Sequence, residues 1–205
     1  MGSDVTGREP IGEFANPDTA WIQTHTNRKV TPLCPDPDTL CIEDIVHALS
    51  NICRYTGHVA RFYSVAQHCV LVSYLLTELK HEGGQRPGKQ TLLEGLMHDA
   101  SEAYLVDVPS PLKPHFPGYL EAEARLEYAV ALKFGLPHPM TPLVKLADKM
   151  ALMAEVPILM GENGFLADRL SNFILPETEG LLSPQTPVMA KDRFLCRFRE
   201  LGGQL

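Results

Sequence analysis

The sequence is short of basic residues, of paired cysteines and of long apolar runs, and each shortage excludes something. Eighteen Lys and Arg stand against twenty-five Asp and Glu, a formal net charge of −7. That balance argues against a binder of duplex nucleic acid, which normally presents a basic face. It leaves room for a small anionic ligand, because a local cluster of Arg and Lys binds phosphate on an acidic protein. The cysteines (Cys34, Cys41, Cys53, Cys69 and Cys196) are odd in number, scattered and free of any C-x-x-C pair. Neither a disulfide framework nor a zinc ribbon fits them, and a reduced compartment is the simplest expectation. The most apolar stretch, residues 69–79, is broken by Ser73, Thr77 and Glu78 and is too short to span a bilayer. The first ten residues lack the apolar core of a signal peptide. A cytoplasmic protein without membrane attachment is expected.

What is present is ordinary globular material: 205 residues, 44% hydrophobic and 21% charged, enough for one domain with its own core. Residues 1–18 read as a poorly ordered leader and 19–205 as a single domain. The stretch WIQTHTNRKV, from Trp21 to Val30, predicts a short hairpin around Asn27, with Trp21 expected in the core.

Helical signals dominate the rest. Ile42, Ile45, Val46, Leu49, Ile52 and Cys53 recur at helical spacing and predict a first helix. Ser64 to Gln67 fits a capping box opening a second helix to about Leu79, and Thr91 to Glu94 a second box opening a third. Gly118 to Phe134 predicts a helix stopped by Gly135-Leu136-Pro137. Thr141-Pro142 opens the helix carrying Lys145 to Glu155, which Pro157 should end or kink. Residues 161–185 have loop composition and could form a lid. Thr186-Pro187 opens a last helix with Ala190, Phe194, Phe198 and Leu201 on one face. The expected fold is all-α, a bundle of five or six core helices.

Several of these helices send a polar group inward. His68 shares its stripe with Leu71, Val72, Leu75 and Leu79, and Asp148 shares a face with Val144, Ala151 and Leu152. A carboxylate on an apolar face is costly unless it is paired or bound to metal. On the third helix, at ~100° per residue, His98 and Asp99 point ~100° apart and Glu102 falls between them one turn on. The dipeptide His-Asp is weak alone, since chance predicts about 0.4 in this composition. Its company is what counts: one metal ion would satisfy inward groups from three separate helices.

The order His68, His98-Asp99, Asp148 resembles the H…HD…D pattern of the HD-domain metal-dependent phosphohydrolases. The run HDASEAYLVDVPSPLK, from His98 to Lys113, resembles the signature of the small HD 5′-deoxynucleotidases and of phage enzymes that hydrolyse dATP. Upstream, IEDIVHALSNICRYTGH and RFYSVAQH are also similar to that group, so the likeness spans roughly residues 20–160. It implies an HD-type helical bundle and a divalent transition metal (Co, Mn, Zn or Ni) held by His68, His98, Asp99 and Asp148.

Such a mixed nitrogen and oxygen site leaves positions open for water. The resemblance gives Glu102 the acid/base role, makes Arg54, Arg61 and Lys113 candidates for phosphate, and puts Asp107 near the sugar. The implied substrate is a small deoxynucleotide, losing either one phosphate or triphosphate, and a homo-oligomer is expected. A cyclic-nucleotide phosphodiesterase and a non-catalytic nucleotide-binding module remain as alternatives.

Overall fold

The computed structural model describes residues 20–81, 83–161 and 179–204. The leader read over residues 1–18 and most of the lid candidate, 162–178, lie outside the described residues. The described residues are all-α apart from one small hairpin and an isolated bridge between Cys53 and Ser64. Strands β1 (Ile22–Gln23) and β2 (Lys29–Val30) pair antiparallel, and Asn27 turns the chain between them at φ 64°, a conformation Asn tolerates better than most residues. Trp21 is not a core residue: it is 52% exposed, with Lys29 Nζ lying 5.3 Å from its ring.

Helix α1 (Ile42–Asn51) buries Ile42, Ile45, Val46 and Leu49. It stops short of Ile52, which is extended, because the backbone there turns to other partners. The Val65 amide donates to the Ile52 carbonyl and the Arg54 amide to the Tyr63 carbonyl. These bonds close the 53–64 loop and set Arg54 at the foot of α2 (Val65–Glu78). The capping box opening α2 is formed as expected, Ser64 and Gln67 bonding each other reciprocally. Almost every side of α2 is buried, the mark of a central helix. It packs against α3 (Lys89–Met97), α6 (Pro142–Leu159) and α8 (Pro187–Glu200).

The start of α3 departs from expectation. Thr91 is not its cap; the helix opens at Lys89 behind an extended Gly88. Pro87-Gly88 makes the break, and Glu94, the partner a capping box would need, is engaged elsewhere. Its carboxylate accepts from the Thr141 amide at 2.6 Å and hydroxyl at 3.1 Å, tying the N-terminus of α6 to α3. Short α4 (Glu102–Leu105) leads to α5 (Pro117–Phe134), which ends on left-handed Gly135. Pro157 lies in the last turn of α6, and the helix stops two residues later at Leu159. Leu152, expected on the inward face of α6, is exposed, while Val144 and Ala151 are buried. After α7 (Glu179–Leu182), α8 caps on Thr186 and buries Ala190, Phe194 and Phe198. No helix among the described residues is long and apolar enough to cross a membrane.

Candidate metal centre

Three segments converge at the middle of the bundle. His68, fully buried on α2, places Nε2 3.2 Å from His98 Nε2 and 3.1 Å from Asp148 Oδ1 on α6. Asp99 Oδ2 stands 3.2 Å from His98 Nε2 and 3.5 Å from His68 Nε2. His98 Nε2 is 3.8 Å from Asp148 Oδ1. Ligands about 2.0–2.2 Å from one ion lie roughly 3.0–3.5 Å apart at neighbouring vertices, so these spacings fit a shared cation. Asp148 is the open side of the group, its side chain 44% exposed, while both imidazoles are buried.

The outer nitrogen of each ring fixes what the inner one offers. His68 Nδ1 lies 2.7 Å from Glu155 Oε1, and His98 Nδ1 lies 2.9 Å from the Gly95 carbonyl. Both partners are acceptors, so both Nδ1 atoms carry hydrogen. A neutral ring then offers its Nε2 lone pair to a metal ion, and a protonated ring donates Nε2–H to the carboxylate beside it, Asp148 for His68 and Asp99 for His98.

The surrounding charges agree. Burial pushes the His98 imidazole toward its neutral form, but Asp99 outweighs it and holds the pKa well above the usual value. Burial likewise opposes a charge on Asp99, yet His98, His68 and Arg54 keep it ionised far below the carboxylate range. His68, His98 and Asp148 form one group that could hold a metal ion, and Cys69, His98 and Asp99 form a second, sharing His98. Cys69, adjacent to His68 and buried, lies within 4.8 Å of His98 and Asp99 donor atoms. Burial raises its thiol to about 11.

α3 ends at Met97, ahead of Glu102, and the chain continues in tighter turns: the Ala100 amide bonds the Met97 carbonyl, and the Glu102 amide that of Asp99. Glu102 Oε1 is 3.4 Å from Lys113 Nζ, and its Oε2 is buried without a partner among the described residues. Burial, with Asp99 and Asp107 nearby, raises its pKa well above the ordinary carboxyl value.

The other expected residues divide. Arg54 belongs to the cluster, with guanidinium nitrogens 3.2 Å from Glu155 Oε2 and 3.8 Å from Asp99 Oδ2. Asp107 is half-buried just after Val106, whose φ of 67° turns the chain sharply. Burial and Asp99 raise the Asp107 carboxyl. Lys113 is held at 2.6 Å by Glu123 and also faces Glu102, so its charge is already spoken for. Arg61 is not brought to the cluster; it is exposed and lines a surface groove with Phe62, Ile158 and Leu182.

Glu155, Tyr55 and Glu123 were not among the expected residues. Glu155 had a signal: it falls seven residues after Asp148, two turns along the same face of α6. Tyr55 had none. Its hydroxyl donates to Glu155 Oε2 at 2.9 Å from a turn in which Tyr55, Thr56 and Gly57 all have positive φ. Left-handed backbone costs a non-glycine residue about 1–2 kcal/mol, and a β-branched Thr there is unusual. Such a turn persists only where its surroundings hold it.

No family model matches the chain. Two curated proteins are similar to it over most of their length. The uncharacterized protein YfdR of Escherichia coli (strain K12) is 39% identical over 165 residues, 80% of this chain and 85% of the relative. The chain belongs to the YfdR family. In the same way, the uncharacterized protein RCAP_rcc00048 of Rhodobacter capsulatus is 35% identical over 158 residues, covering 74% of this chain and 79% of the relative. Neither name carries an activity, so a function for this YfdR-family chain must be argued from the cluster of His68, His98, Asp99 and Asp148.

Proposed function

We propose that the protein is an HD-type metal-dependent phosphohydrolase that removes 5′-phosphate groups from 2′-deoxynucleotides. The observation that carries this reading is the pair of Nε2 atoms 3.2 Å apart, each with its outer nitrogen engaged and two carboxylates beside it. His68, His98, Asp99 and Asp148 would hold one divalent ion, and an oxygen- and imidazole-rich set suits Mn, Co, Ni or Zn. Such an ion supplies Lewis acidity, activating water and neutralising charge on a phosphoryl oxygen.

The remaining steps belong to the chain. Arg54, whose guanidinium faces Asp99 and Glu155, puts a cation beside the centre to attract a phosphoryl oxygen. Glu102, whose carboxyl pKa is raised by burial and the neighbouring acids, would donate a proton to the departing oxygen and recover one from water before the next turnover. Lys113 holds the other oxygen of Glu102, which leaves Oε2 as the proton carrier. Asp107, near Arg54 and Lys113, is the candidate for reading the sugar, where crowding or mispairing of a 2′-hydroxyl disfavours ribose. Substrates of one or of three phosphates both suit this chemistry.

The test is release of phosphate or triphosphate from paired substrates, dAMP against AMP and dATP against ATP, with Mn, Co, Ni or Zn added in turn. Hydrolysis favouring the deoxy member of a pair is expected. A metal-loaded protein that releases nothing from any of them contradicts the reading.

A further inference from the structure

One buried carboxylate outside the four-ligand set touches both halves of the proposed site. Glu155 is fully buried on α6. Its Oε1 is 2.7 Å from His68 Nδ1, and its Oε2 accepts from the Tyr55 hydroxyl at 2.9 Å and faces Arg54 at 3.2 Å. The other tether on Arg54 is Asp99 Oδ2 at 3.8 Å, the same oxygen that faces both histidine Nε2 atoms. A cation drawn into the cluster therefore competes with Arg54 for Asp99. Once Asp99 is committed to the cation, Glu155 still faces the arginine at 3.2 Å. The strained turn at Tyr55 and Thr56 delivers a hydroxyl to Glu155 that fixes its second oxygen.

We infer that Glu155 is a positioning residue that both orients His68 toward the cation and keeps Arg54 beside the centre, so that metal capture and anion capture depend on one side chain. The inference rests on the reading of His68, His98, Asp99 and Asp148 as ligands. Glutamine at 155 separates the two duties in kind. Its carbonyl still accepts from His68 but without the charge, and its amide turns donors toward the guanidinium. A Tyr55→Phe exchange is gentler, since it removes one bond to Glu155 and leaves the carboxylate.

The experiment measures Co2+ affinity by competition with a fluorescent chelator and inorganic phosphate affinity on the Co2+-saturated protein by calorimetry. It compares the natural chain, Glu155→Gln and Tyr55→Phe, with circular dichroism to establish folding. Loss of an outer partner of a ligand typically weakens metal binding ~10–100-fold. Glu155→Gln should fall in that range for Co2+ and lose about tenfold for phosphate, and Tyr55→Phe should weaken both in the same direction by less. A folded Glu155→Gln protein with both affinities within twofold of the natural chain overturns the inference. If that variant does not fold, unchanged affinities in Tyr55→Phe overturn it. A natural chain that binds no Co2+ overturns the ligand reading itself, and the inference with it.

Discussion

Replacing Gly95 by Ala tests how closely α2 and α3 must approach for the centre to exist. An added Cβ at Gly95 would lie 2.2 Å from Leu76 Cδ1 and 3.5 Å from Val72 Cγ1, both on α2. The first distance is about 1.5 Å inside ordinary carbon–carbon contact. Leu76 is fully buried, so its methyl has no solvent to retreat into. Two effects oppose each other. Alanine improves on glycine in a helix by roughly 1 kcal/mol, and overpacking a core costs roughly 1–3 kcal/mol. The depth of this clash favours the upper half of that range, a net loss of about 1–2 kcal/mol. For a chain of this size that corresponds to a fall in Tm of about 2–8 °C. Gly95 also supplies the carbonyl bonded to His98 Nδ1, so parting the helices draws His98 from His68. Thermal melts with and without excess Co2+ should show a lower Tm for Gly95→Ala and a smaller stabilisation by the metal. A variant as stable as the natural chain, with undiminished stabilisation by Co2+, would refute the reasoning.

Other outcomes follow from the same geometry. Glu102→Gln should keep its metal and bind nucleotide while turnover falls roughly 10²–10⁴-fold, the usual scale for losing a general acid; metal analysis and steady-state kinetics check it. Lys113→Met should lower kcat about tenfold and change KM little, because Lys113 is engaged by Glu123 and Glu102; a rise in KM alone would return Lys113 to phosphate binding. In metal-free protein, burial opposes the charge on Glu155 but Arg54 and His68 pull its pKa from 4.5 down to about 2. Its contribution to stability is therefore complete above pH 4.5 and lost as pH falls toward 2, and denaturant midpoints across that window should fall less steeply in Glu155→Gln.

The sequence carried the skeleton of this account because its signals were local. The Ser64 box, the Gly135 stop and the Thr186-Pro187 start each depend on a few adjacent residues, and each is where expected. His68 and Asp148 stood out as polar residues on apolar helical faces, while the full set with His98 and Asp99 came from the resemblance to the HD pattern. Thr91 misled, since a capping box can be read from four letters although Glu94 is claimed by Thr141, a residue distant in the chain. Nothing local shows that α3 ends at Met97 and that the chain turns more tightly before Glu102. Lys113, Glu123, Tyr55 and Glu155 are joined only by folding, so no spacing rule relates them. Trp21 was misjudged for a simpler reason: composition does not tell which short segments the bundle leaves uncovered.

The central claim is that His68, His98, Asp99 and Asp148 together hold one divalent ion. The most direct measurement is elemental analysis, after equilibrium dialysis against Mn, Co, Ni and Zn, of the natural chain and of His98→Ala checked for native folding. The account predicts about one ion per natural chain and a loss of most of it in His98→Ala. Equal metal content in the two proteins, or none in the natural chain with any of the four ions, would contradict it.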